Sequence, residues 1–112
     1  MPVIESHHGV VTQVNVFTTT TENQQALIDL LIEAARSVQD VPGWMSASIH
    51  RERDGTRVVN YAQCENYPAW EAVMVKLREG GFLDRNKALG TASPGLYEVV
   101  FTLEHGQPSG PT

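Results

Sequence analysis

The chain has one cysteine, Cys64, among its 112 residues. A single thiol excludes an intramolecular disulfide and a zinc site built on cysteines. Basic residues are few: 8 Lys and Arg stand against 13 Asp and Glu, a formal net charge of -5. Phosphate binding needs a basic surface, so no nucleic-acid partner is expected. No apolar run approaches the length of a membrane span, so no membrane partner is expected either. The chain does not open on a basic stretch followed by a long apolar one, so no secretory signal is expected and cytoplasmic residence is the default. There is no internal repeat, phosphate-cradling Gly-rich loop or nucleophile elbow. Nor is there a metal-ligand cluster: His7 and His8 are adjacent, and neighbours on a strand point to opposite sides. His50, among Arg51, Glu52 and Arg53, reads as a solvated strand-end residue.

What is present is a 41% apolar chain with mixed charges, long enough for one domain with one modest core. Residues 1–8 read as a loose arm, 9–104 as the domain, and the Gly-, Pro- and Ser-rich residues 105–112 as a flexible tail. Residues 9–18 predict a strand, with Val14 and Val16 on one face and Val11, Gln13, Asn15 and Phe17 on the other. Residues 21–38 predict a helix. Thr21 and Gln24 have capping-box spacing, and Leu27, Leu30, Leu31, Ala34, Ala35 and Val38 form an apolar stripe. Residues 44–51 predict a strand with Met45, Ala47 and Ile49 opposite Trp44, Ser46, Ser48 and His50. The Asp54-Gly55 pair predicts a hairpin into a strand over residues 56–65. Asn66 and Pro68 open a second helix carrying Trp70, Val73, Met74 and Leu77, and Gly80-Gly81 ends it. A short helical piece follows over residues 82–89. Gly90 and Pro94-Gly95 then lead into a last strand over residues 96–103, apolar on both faces.

The order strand, helix, strand, strand, helix, strand is the split β-α-β arrangement of a ferredoxin-like α+β fold. Its four strands make one antiparallel sheet with helices on one face. The first and last strands are apolar on both faces, and Val59 and Tyr61 add to that, so the other face would expose more apolar surface than a monomer usually leaves bare. A two-fold homodimer with sheet packed on sheet is the economical solution. On the helix side, Asn60 stands between small apolar neighbours in the row Val58, Asn60, Ala62 and Cys64. A buried amide needs a partner, supplied either by the fold or by a ligand.

Three stretches carry a resemblance: Val41-Pro42-Gly43-Trp44, the run from Asp54 to Gln63 that reads D-G-T-R-V-V-N-Y-A-Q, and the helix with Ala69 and Trp70 after Glu65. Across residues 9–104 the chain resembles the antibiotic biosynthesis monooxygenase family of dimeric α+β barrels. It is most similar to the cofactor-free enzymes of aromatic polyketide biosynthesis, which convert anthrone-type phenols to quinones. The resemblance implies a small aromatic substrate, O₂ as co-substrate, and no metal or cofactor. It implies a pocket between sheet and helices, with Asn60 and a basic residue, Arg85 or Lys87, as catalytic groups. Arg85 is the chosen one. Cys64, Trp70, Asn15 and Met74 are the implied substrate-binding residues. Cys64 holds a place where the subgroup carries tryptophan, and Trp70 one where it carries tyrosine. A non-catalytic or differently catalytic barrel that binds a small aromatic ligand is the alternative. The haem-degrading branch of the family is a third reading. Asn15 and Trp70 would match its asparagine and tryptophan, but residues 66–90 offer no histidine as axial ligand.

Overall fold

The computed structural model describes residues 9–106, so the expected arm and residues 107–112 of the expected tail lie outside the described residues. The elements run β1 (Val11–Thr18), α1 (Gln24–Val38), β2 (Trp44–Arg51), β3 (Arg57–Cys64), α2 (Tyr67–Glu79), α3 (Phe82–Lys87) and β4 (Thr91–Tyr97). The strands form one antiparallel sheet in the order β2-β3-β1-β4. This is the expected α+β ferredoxin-like arrangement. Phe17 and Val58 pack against Leu27, Ile28 and Leu31 of α1, and Cys64 packs with Val38 of α1 and with Ala69 and Val73 of α2. Odd residues of β1 and even residues of β3 therefore face the helices.

Local chemistry accounts for most boundaries. Asn66 Oδ1 accepts from Ala69 N at 2.9 Å and starts α2, with Pro68 in its first turn. Gly55 adopts φ 87° in the β2–β3 turn, where Asp54 Oδ1 accepts from Thr56 N at 2.9 Å and Thr56 Oγ1 at 2.8 Å. Those two donors hold the Asp54 carboxyl below the usual carboxylate range, the backbone amide first. Gly43 has φ 91°, and a Cβ there would stand 2.6 Å from the Ala69 Cβ. Only glycine lets the chain enter β2 that close beneath α2.

Three sequence expectations change. The helix does not begin at Thr21 with a capping box: α1 starts at Gln24, after an Asn23 cap whose side chain makes no capping bond. The Gln24 side chain is instead buried and donates Nε2 to Glu52 O (3.1 Å) and Arg57 O (3.0 Å), tying the helix to the hairpin. Trp44 does not share a face with Ser46 and His50. A bulge between Trp44 and Ser46 shifts the register, so Trp44 sits opposite Cys64 on the helix side. The last strand is not residues 96–103. β4 runs Thr91–Tyr97, with Pro94 inside it opposite Asn15. An edge strand tolerates proline because half of its backbone donors point away from the sheet. Pairing stops at Thr12–Tyr97, one rung short of the start of β1. Val100, Phe101 and Leu103 then lie outside regular structure at 77%, 68% and 61% exposure.

Candidate functional site

The ladder places four cross-sheet rungs under the helices, read from β2 to β4. The first is Arg51, Val58, Phe17 and Ala92. The second is Ile49, Asn60, Asn15 and Pro94. The third is Ala47, Ala62, Gln13 and Leu96. At the far end Trp44, Cys64 and Val11 line up. The end rungs belong to the two apolar clusters, one around Phe17 and Val58, the other around Cys64. The middle rungs carry Asn15, Asn60, Gln13 and Ala62 on the two central strands, with Ile49, Ala47, Pro94 and Leu96 on the edge strands. A sheet surface that is apolar at both ends and carries amides at its centre has the anatomy of a ligand floor.

The hydrogen bonding sharpens this. Asn15 and Asn60 are direct cross-strand partners, which puts their Cβ atoms about 4.5–5.5 Å apart. Both Oδ1 atoms are buried, and neither accepts a hydrogen bond. Two facing amides have the groups to satisfy each other, yet these do not. Each unpaired buried group costs about 1–3 kcal/mol, which a protein rarely carries without a use for it. Two further orphans face inward from the helices: Trp70 Nε1 and Asn86 Oδ1. Trp70 packs beside the Cys64 cluster and lies obliquely against Tyr67, with ring centroids 5.2 Å apart. Met74 follows one turn later on the same face of α2, half-buried.

The other expected site residues are placed differently. Cys64 is packed core at 3% exposure, and burial pushes its thiol pKa up. Arg85 is not brought to the amides. Its guanidinium lies on the outer flank, 3.6 Å from Glu33 and 5.4 Å over the Phe82 ring. There it lines a groove of about 460 Å³ with Asp29, Leu30 and Glu33. Lys87 is also exposed, near Asp84. The inward face of α3 is Phe82 and Asn86, four residues apart. The resemblance implies a basic residue here, whereas the four-residue spacing from Phe82 puts Asn86 on the buried face. His50 is exposed on the opposite sheet face and shares a hydrogen bond with Ser48 Oγ at 2.9 Å. Among the described residues no group of three or more His, Cys, Asp or Glu could hold a metal, and no helix is long and apolar enough to cross a membrane.

A second groove, of about 400 Å³, opens at the Val11 end of the sheet, lined by Val10, Val11, Tyr67, Leu96 and Tyr97 with Gly9 and Glu98. Leu96 is the β4 member of the third rung, and Tyr67 is the residue stacked on Trp70. The groove thus borders the floor on its open side.

Comparison with known proteins agrees with this fold. Residues 10–74 match the family model described as antibiotic biosynthesis monooxygenase. The chain is 31% identical over 111 residues to tetracenomycin-F1 monooxygenase of Streptomyces glaucescens, covering 98% of this chain and 99% of that one. Among solved structures it is similar to the monooxygenase from the gene ActVA-Orf6 of Streptomyces coelicolor in complex with nanaomycin D. That match has a TM-score of 0.72 at 25% identity, over 94% of this chain and 96% of that one. A variant of SnoaB, a cofactor-independent oxygenase from Streptomyces nogalater, shares the fold at a TM-score of 0.77 and 24% identity, over 84% and 96% of the two chains. The chain belongs to the antibiotic biosynthesis monooxygenase family.

Proposed function

We propose that this protein is a cofactor-independent monooxygenase that oxidises a phenolic or anthrone-type aromatic compound to a quinone with O₂. The observation that carries the reading is the Asn15–Asn60 rung. It offers two buried amide oxygens without partners between two apolar clusters, and Trp70, packed against the Cys64 cluster, carries a buried N–H that also lacks one. Family membership, and relatives named as monooxygenases, support the reaction class.

The chemistry asks the protein for a place rather than a reagent. The substrate anion gives one electron to O₂. The two radicals combine into a peroxide at the ring carbon, and the O–O bond breaks with loss of water to leave the carbonyl. One oxygen atom of O₂ enters the product and the other leaves as water, with the substrate as reductant. The protein favours the anion with donors aimed at its oxygen. In this reading the Trp70 indole N–H, buried without a partner, and the amide N–H of Asn60 are the neutral donors for that role, since Arg85 and Lys87 are exposed in pairs with Glu33 and Asp84. The clusters at either end limit water around the reacting ring.

The same reading includes a homodimer. Val14, Val16, Val59 and Tyr61 occupy the middle of the sheet face opposite the helices, with Ser46, Ser48, His50, Thr18, Thr91 and Ser93 around them. An apolar centre with a polar rim suits a second copy of the same face.

The experiment is direct. Metal-free protein is mixed with an anthrone under air while quinone absorbance and oxygen uptake are followed. Wild type should exceed the buffer rate, and Asn60→Ala should lose at least tenfold. A wild-type rate equal to buffer across several anthrones and phenols would remove the reading.

A further inference from the structure

Beyond β4 the chain has the composition of a strand and none of the pairing. Residues 98–104 read Glu-Val-Val-Phe-Thr-Leu-Glu, rich in the β-branched and aromatic residues that strands favour. They join no strand of their own chain, and Val100, Phe101 and Leu103 are left exposed. In extended form Val99, Phe101 and Leu103 share one face, while Glu98, Val100, Thr102 and Glu104 share the other. That is an apolar face with a mostly polar back, the pattern of a strand that covers something on one side. The ligand floor lacks a cover at its β4 border. Ala92, Pro94 and Leu96 are the β4 members of the helix-side rungs, and all three are exposed. The groove beside Leu96 and Tyr67 opens at that border. The 98–104 segment has no means of doubling back onto its own floor. It contains no Gly, Pro, Asn or Asp to turn on, and the first positive φ after β4 is at Gly106.

We propose that residues 98–104 of each protomer lie as an exchanged strand in the groove of a second copy, beside its Tyr67 and Leu96, and that Phe101 closes the open border of that copy's ligand floor. This rests on the homodimer of the proposed function, which supplies the second copy. The reach is sufficient. Sheets packed face to face stand about 10 Å apart, and the extended stretch from Tyr97 to Phe101 spans about 14 Å. The first residues cross between the sheets, and Phe101 and Leu103 arrive at the edge of the other chain. The groove suits them, because Val11, Tyr67, Leu96 and Tyr97 among its walls are apolar or aromatic, and the last three are exposed in the single chain. Exchange is reciprocal by construction. Glu98 both lines the groove and begins the segment, so each protomer offers a seat at the root of the strand it gives away. A two-fold axis makes the two seats alike. Each ligand site is then composite, with its floor from one chain and its β4 border covered by the other.

Cross-linking tests this without turnover. Tyr67→Cys and Phe101→Cys are combined in a Cys64→Ala background, treated with a short bismaleimide and run on a denaturing gel. Exchange predicts a covalent dimer. A link within one chain, or no link, would overturn the proposal. Amide hydrogen exchange on wild type needs no variant and stands if that one does not fold. Residues 98–104 should be protected at concentrations that give a dimer and lose protection on dilution to monomer, and a segment that exchanges freely in the dimer would overturn the proposal as well. The composite site is read by calorimetric titration of 1-naphthol under nitrogen. Phe101→Ser should weaken binding about tenfold, the low end for removing a buried phenyl ring. An unchanged affinity, or a wild type that does not bind 1-naphthol, would remove Phe101 from the site. A silent anthrone assay would sink only the monooxygenase reading. A wild-type dimer without the interchain link would sink only the exchange, and a monomer would sink the dimer and the exchange together.

Discussion

In the proposed function, Asn60 is a side chain that serves activity rather than stability. Its buried oxygen has no partner, so the folded protein gains nothing from that acceptor in the absence of ligand. Asn60→Ala should therefore cost activity while shifting the urea midpoint by less than the equivalent of about 1 kcal/mol. A large loss of stability would mean that the amide holds the fold together instead. Cys64 behaves in the opposite way. Its thiol is buried and its pKa is raised by desolvation. A raised folded pKa contributes stability that is complete below the unfolded value of about 8.5 and is lost as pH rises through the folded value. Urea midpoints from pH 7 to 10 should fall more steeply for wild type than for Cys64→Ala, and the native thiol should resist thiol reagents at pH 8. Parallel curves would show that the thiol does not titrate with unfolding. Asn60 was legible as an anomaly in the chain, a lone amide in an apolar row. Its partner was not, because Asn15 lies 45 positions away and pairs with it only through sheet register.

At the scale of elements, two joints are open to test. Gly43 combines a positive φ with an Ala69 Cβ that a new methyl would meet at 2.6 Å. Gly43→Ala should destabilise by about 1–3 kcal/mol in chemical denaturation, through backbone strain and contact with α2 together. A neutral result would mean that the turn can open away from the helix. Gln24 joins α1 to the hairpin through two buried hydrogen bonds. Gln24→Leu should cost about 1–3 kcal/mol by removing two hydrogen bonds, although Glu52 O keeps the Gly55 N donor and Arg57 O keeps the Glu52 N donor. The element order and most boundaries were readable from periodicity and punctuation, as Asn66-Tyr67-Pro68 and Asp54-Gly55 show. The exceptions have a common cause, in that tertiary partners overrode local signals. Gln24 found hairpin carbonyls better placed than its own helix terminus. A bulge turned Trp44 to the helix side. Pro94 looked like a strand breaker and became part of an edge strand.

For the whole molecule, the proposed assembly rests on the outer sheet face. The proposed dimer buries Val14, Val16, Val59 and Tyr61, of which Tyr61 is 39% exposed in the single chain. Sedimentation velocity at micromolar concentration should give a dimer, and Val16→Glu should shift it toward monomer with the helix-side floor unchanged. A monomeric wild type would contradict the proposal.

The chain by itself determined the family, the split β-α-β order and the anomaly of a lone amide at Asn60. These reside in contiguous stretches and local periodicity, which need no knowledge of what lies across the sheet. Tertiary structure alone decided which residues share the floor. Register brought Asn15 against Asn60, helix packing made Cys64 core, and the orientation of α3 turned Asn86 inward and Arg85 out. Those outcomes depend on pairing between distant strands and on which side of a short helix meets its neighbours, and neither is encoded in any local window of the chain.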